Sequence, residues 1–200
     1  MRNVVIYVRF LLKHKALSVI NILGLSIGIA TCLFIGLYVI DELSYDKYHK
    51  NIDRIFSVTT KLTTDESLDH IASASLPLAP ELKHNYPEVE EAVRFKHLFN
   101  PTVGYQNNFF KEKDIYEADA ELFTVFTYNF QQGNPATALE GSQNIVITQS
   151  LATKYFGQND PFNKTLLINN KEYQVTGVLE DIPSNSDLNF SALISIDKNA

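Results

Sequence analysis

Acidic residues are missing from the first 40 positions: all 23 lie from Asp41 onward. Cysteine occurs once, at Cys32, and tryptophan not at all. A single cysteine excludes a disulfide within the chain, so stability must come from packing, whatever the redox state of the compartment. No GxxxxGK[ST] loop is present, which excludes the usual phosphate-cradling ATPase site. His14, His49, His70, His84 and His97 fall into no HExxH or HxH spacing for zinc, and no GxSxG elbow occurs. The histidines therefore read as surface residues. Asp41-Glu42, Glu90-Glu91 and Glu180-Asp181 are adjacent pairs, which point apart in extended chain and read as solvated surface. No catalytic constellation remains and no metal or cofactor set, so we expect the chain not to be an enzyme.

What is present is a long uncharged run. Ala16 to Ile40 holds 25 residues without a formal charge. As a helix it is roughly 37 Å long, against a hydrocarbon core of about 30 Å. It reads as a transmembrane helix over 16–40. Cleaved signal peptides have a shorter apolar region and a small-x-small site, and cleavage here would leave Leu33 to Ile40 as an apolar new terminus. Ile29-Ala30-Thr31-Cys32 is only loosely a lipobox, since apolar residues follow where a polar tether belongs. Arg2, Arg9, Lys13 and Lys15 precede the run. Basic flanks stay cytoplasmic, so 1–15 should be inside and 41–200 outside. Four of the 17 basic residues lie in that flank, leaving 13 against 23 acids outside, a formal charge of −10. Such a surface repels nucleic acid and anionic lipid.

Within the span, Gly24, Gly28, Cys32 and Gly36 recur every four residues and share a drifting helix face. Small residues there admit a second helix closely, and Asn21 would seek a polar partner on it. We read these five as helix-packing residues. Residues 2–12 mix basic and apolar positions. They form either an amphipathic helix on the inner membrane surface or an extension of the span. Tyr38, Tyr45 and Tyr48 suit a membrane interface, and the helix is expected to run a turn or more beyond it.

The remaining 160 or so residues suit one domain or two small subdomains. Arg54–Leu62 alternates as a strand, and 63–75 reads as loop. Residues 76–86 form a helix bounded by Pro77 and Pro87, and Val89–Leu98 is extended. The expected unit over 54–98 is thus strand–helix–strand. Phe109–Ala118 reads as a strand, Ala120–Phe126 as a short helix, Thr127–Phe130 and Asn144–Thr148 as strands. Gln149–Phe156 is helical, capped by Thr148 or Ser150 and ended by Gly157. Leu166–Ile168 and Tyr173–Val178 form a hairpin around Asn169-Asn170. Glu180–Leu188 is a polar loop, and Phe190–Ile196 a final strand. Residues 105–180 are expected to be a separate, mainly β lobe. The fold class is α+β. The chain stops soon after its last strand, which suggests a fragment of something longer.

The run Ile20 to Gly28, INILGLSIG, followed by Asp41 to His49, DELSYDKYH, resembles the start of FtsX/MacB-type ABC transporter permeases, particularly the long versions of Bacteroidota. Further matches are Pro87-Glu88-Val89-Glu90, Ser150 to Gly157, Val175-Thr176-Gly177-Val178, and Asp181-Ile182-Pro183 with Asn185-Ser186. The resemblance spans essentially the whole chain. It implies one transmembrane helix and a MacB-like periplasmic core domain over 41–200, made of a porter-like strand–helix–strand unit and an inserted β-rich subdomain, cut short before a C-terminal helical bundle. It implies a separate cytoplasmic ABC ATPase as partner, a permease dimer, and for some members a periplasmic adaptor and outer-membrane channel. Its mechanism would be mechanotransmission: ATP-driven helix movement passed to the periplasmic domain. Efflux, lipoprotein extraction and cell-wall hydrolase control are all open. The alternative from the residues alone is a single-pass anchored binding or sensor domain.

Overall fold

In the computed structural model the described residues are 13–63, 68–71 and 73–196. The reading of residues 2–12 falls outside them. The chain divides into two compact units at the Tyr45–Asp46 bond.

The first unit is built on one helix, α1, Lys15–Glu42, with no buried residue. It is 28 residues long and apolar enough to cross a membrane by length and composition. It stops two residues past Ile40, where the Leu43 and Ser44 amides turn back to the Val39 and Asp41 carbonyls. The expected extension is therefore absent.

The second unit is a mixed α+β domain. A 3₁₀ turn, Ile52–Arg54, ends at the residue where the strand was expected to begin. That strand, β1, is confined to Thr60–Thr63, and Phe56 and Val58 ahead of it are 84% and 48% exposed. The expected loop contains a second strand, β2 (Leu68–Ile71), antiparallel to β1 in a sheet of its own. Helix α2, Leu78–Asn85, follows as expected, and a short helix α3, Leu122–Val125, lies within the expected 120–126.

A nine-stranded sheet makes up the rest. Its strands are β3 (Phe95–Leu98), β4 (Thr102–Tyr105), β5 (Asn108–Lys111), β6 (Ile115–Ala118), β7 (Phe130–Gly133), β8 (Asn144–Thr148), β9 (Thr165–Ile168), β10 (Lys171–Leu179) and β11 (Ala192–Ser195). The order is β3-β6-β11-β8-β10-β9-β4-β5, with β7 on the later half of β10. Strands 95–98 and 192–195 thus share a sheet with 105–180, which is not a separate lobe. The single strand expected over 109–118 is two, β5 and β6, and β4 was not foreseen. The strand expected at 127–130 lies at 130–133.

Alternation explains why the central strands are apolar throughout. Successive side chains point to opposite faces, and both faces are covered. On one, Ile145, Ile147, Val175, Ala192 and Ile194 meet Leu151, Ala152, Tyr155 and Phe156 of helix α4, Gln149–Phe156. On the other, Val146, Leu179, Leu193 and Phe190 meet Leu122, Ala138 and Leu139. Each fully buried Ile or Leu contributes about 1.5–3 kcal/mol. The register of β10 against β8 shifts between Val175 and Gly177, so Thr176 is an extra residue. That bulge returns Val178 to the face of Val175, which strict alternation would forbid. The Thr176 hydroxyl is spent on the Ala138 carbonyl, 2.6 Å away.

Local readings hold around α4. Thr148 Oγ1 accepts from the Leu151 amide, and Gly157 ends the helix at φ +62. The β9–β10 hairpin turns on Asn169 and Asn170, at φ +48 and +68.

Candidate functional site

Four residues beyond the end of α1, the backbone takes a left-handed step at Asp46, φ +55. Asparagine and aspartate tolerate that conformation better than most residues. It starts a tight turn: the His49 amide donates to the Asp46 carbonyl, and the Ile52 amide to the His49 carbonyl. The turn is pinned to two distant segments of the domain.

The first is the loop between β10 and β11. The Asp46 amide donates to the Asn185 carbonyl at 3.0 Å. In return, Asp46 Oδ1 accepts from the Ser186 hydroxyl at 2.8 Å and from the Asp187 amide at 3.2 Å. The Tyr48 hydroxyl also lies 2.8 Å from Ser186 Oγ. Ser186 is 7% exposed, so its bonds to Asp46 and Tyr48 are partly shielded from water, while the Asp187 amide bond lies at the surface. Hydrogen bonds to a charged acceptor contribute about 1.5–3 kcal/mol each.

The second is the segment before β7. The Thr127 amide donates to His49 Nδ1 at 3.1 Å, and the Lys50 amide to Thr127 Oγ1 at 3.1 Å. His49 is 2% exposed. Its ring lies 4.0 Å from Tyr48, and edge-on to Phe126 and Tyr128 at 5.2 and 5.4 Å. Tyr128 in turn meets Phe190 at 5.2 Å, which packs in the core beside Leu193 of β11. Burial pushes the Tyr128 hydroxyl well above the usual tyrosine range. Burial likewise lowers the His49 pKa, against an opposing pull from Asp46. An unpaired buried donor costs about 1–3 kcal/mol, and aromatic contacts return about 0.5–1.5 kcal/mol each. The ring contacts thus offset the orphaned nitrogen.

The joint lies on an anchored base. Asn129 and Glu180 tie the two receiving segments together, side chain to side chain at 2.9 Å and amide to carbonyl at 2.9 Å. Asp181 accepts from the Ser150 amide and hydroxyl, capping α4 at 2.9 and 2.7 Å.

Three readings change accordingly. His49 is a core residue, not a surface one. Tyr48 is half-buried with its hydroxyl on Ser186, a contact within the domain that its sequence position did not suggest. Asp181 is an exposed residue with a structural bond, not free surface. The signal for the joint was in the resemblance: Asp41–His49 and Asp181–Ser186 are separate motif pieces, and they meet in space. Asn21, Gly24, Gly28 and Cys32 lie exposed on α1, with Gly36 half-exposed, and a methyl added to any of the three glycines would touch nothing. Among the described residues no group of three or more His, Cys, Asp or Glu is placed to hold a metal.

A chain with one apolar, membrane-length helix among the described residues, followed by a mixed-sheet domain, is a membrane-anchored protein with an extracytoplasmic domain. It belongs to the family of the MacB-like periplasmic core domain, whose model matches residues 18–199. No curated protein matches. Among solved structures, a domain of a permease protein from Porphyromonas gingivalis is 25% identical, with a TM-score of 0.50, and covers 60% of this chain. The chain spans 56% of that domain's length. The extracellular domain of the ABC-type transporter YknZ from Gram-positive bacteria is 19% identical, TM-score 0.53, covering 68% of this chain and 71% of its own. The periplasmic region of MacB from Actinobacillus actinomycetemcomitans is 19% identical, TM-score 0.50, covering 73% and 68%. The last two share the fold. The family match takes in most of helix α1 as well as the domain that follows it.

Proposed function

We propose that this chain is the N-terminal part of a permease subunit that passes movement of α1 to the periplasmic domain. A separate cytoplasmic ABC ATPase drives the movement, and a second permease copy completes the transporter. Residues 1–15 are cytoplasmic and 41–200 periplasmic, in the bacterial inner membrane. The domain binds and displaces a substrate, or a periplasmic adaptor leading to an outer-membrane channel, and catalyses no reaction itself.

One observation carries this reading: residues 46–50, a few positions past α1, are hydrogen-bonded to two separate segments of the domain, the one before β7 and the β10–β11 loop. A passive tether gains nothing from such a joint, because a slack linker anchors equally well. A transmitted displacement is lost in a slack linker. The test is Asp46→Ala combined with Ser186→Ala in the full-length permease, reconstituted with its ATPase at pH 7.5. ATP hydrolysis should continue while transport falls at least tenfold. Unchanged transport at equal expression would favour the anchored binding domain.

A further inference from the structure

We propose that His49 is a proton-operated latch, holding the 46–51 turn on the domain when neutral and releasing it when protonated. The inference rests on reading the joint as the coupling element, and adds a condition under which coupling fails.

The geometry sets the protonation state. Nδ1 accepts the Thr127 amide proton, so the single proton of the neutral ring sits on Nε2. Nε2 has no hydrogen-bond partner among the described residues and lies 3.9 Å from Asp46 Oδ1. A second proton must therefore enter at Nδ1, where a backbone donor already points. It cannot do so without breaking the Thr127 bond, one of the two that hold the turn on the segment before β7.

The groups around the ring decide which state wins. From its own segment come Asp46 and Tyr48. From the segment before β7 come Phe126 and Tyr128, an apolar ring and a phenol. From the β10–β11 loop, Ser186 and the Asp187 amide reach Asp46, and so engage the carboxylate that would otherwise favour an imidazolium. Lys50, next along the chain, carries a charge of the wrong sign to help. Burial prevails, and the ring titrates below the ordinary histidine value.

The sign follows from linkage. A histidine with a depressed pKa when docked takes its proton more readily once released. Docking is then complete above the ordinary value of about 6.5 and weakens as pH falls below it. One pH unit of window changes the docking equilibrium at most about tenfold.

Hydrogen exchange on the full-length permease in nanodiscs reads docking directly. Protection factors for 46–51 and 126–129 should fall several-fold between pH 7.5 and pH 5.5. His49→Asn, whose side-chain oxygen can accept the Thr127 amide without titrating, should show no such fall. Constant protection in the wild type, or an equal fall in His49→Asn, overturns the latch. If His49→Asn is undocked at both pH values, the wild-type ring titration decides by NMR of labelled histidine. A His49 midpoint below 6.5 supports the latch, and one at or above it refutes it. The transport test of the joint is read at pH 7.5, so either idea can fail while the other stands.

Discussion

A methyl group on Gly133 has nowhere to go. The residue sits at φ +93, and an added Cβ would lie 2.4 Å from the Thr176 carbonyl oxygen, on the bulge of β10. Backbone cannot yield as a flexible side chain can. Gly133→Ala should therefore cost about 2–5 kcal/mol, the sum of left-handed strain and overpacking. For a domain of this size that is roughly a 4–20 °C fall in Tm by calorimetry. Gly157, at φ +62, faces open space. Gly157→Ala should cost only the conformational part, about 1–2 kcal/mol. A larger loss at Gly157 than at Gly133 would contradict this account of the bulge. Single residues were also where reading the chain was weakest. A lone histidine between Tyr48 and Lys50 looks solvated, because nothing local buries it. Its cover comes from Phe126 and Tyr128, nearly 80 positions away in sequence, which no periodicity connects to it.

Elements were legible where their ends carry their own chemistry. The Thr148 cap, the Gly157 stop and the Asn169-Asn170 turn each act through their own backbone, so α4 and the β9–β10 hairpin could be placed. The split of 102–118 into three strands could not be. Its first internal turn uses Gln106 at φ +53, with no glycine or proline to mark it, and the one clear turn signal, Asn100-Pro101, lies ahead of β4 rather than inside 102–118. Nor could β1 be bounded, since Phe56 and Val58 alternate as in a strand yet pair with nothing in the sheet. One element carries a cap that sequence alone hid: Asp181 holds the first turn of α4 from 31 positions away. Asp181→Ala removes both bonds to Ser150 and should destabilise the domain by about 1 kcal/mol, within the range for losing an N-terminal cap. Ser150→Ala removes only the hydroxyl bond and should cost less. Denaturant midpoints with unchanged slopes would measure both. Equal losses would mean that the backbone bond contributes nothing.

At the scale of the molecule, the question is what α1 packs against. It has no buried residue in this chain, and its glycines meet nothing within reach of a methyl. A helix that only anchors a domain would leave that face to lipid, which adapts to any side chain. A helix in a permease bundle would set another backbone against Gly24, Gly28, Cys32 and Gly36. Gly28→Leu separates the two. Added bulk where backbones approach costs about 1–3 kcal/mol of packing. It should also impede any sliding of α1 that the Asp46 joint passes outward. We expect Gly28→Leu to insert normally and to fold its extracytoplasmic domain normally, since the two units are separately compact. Transport or ATPase coupling in the full-length permease should fall severalfold. Leu33→Val lies off the glycine face at similar depth and should leave both unchanged. The joint variants and Gly28→Leu then fail at different places: the former with α1 packed but disconnected, the latter with the joint intact but α1 displaced. Cross-linking of α1 through Cys32 to engineered cysteines on the transporter's other helices reports the difference. It should be lost in Gly28→Leu and kept in Asp46→Ala. Full coupling in Gly28→Leu at wild-type expression would remove the packed-helix reading and leave α1 an anchor.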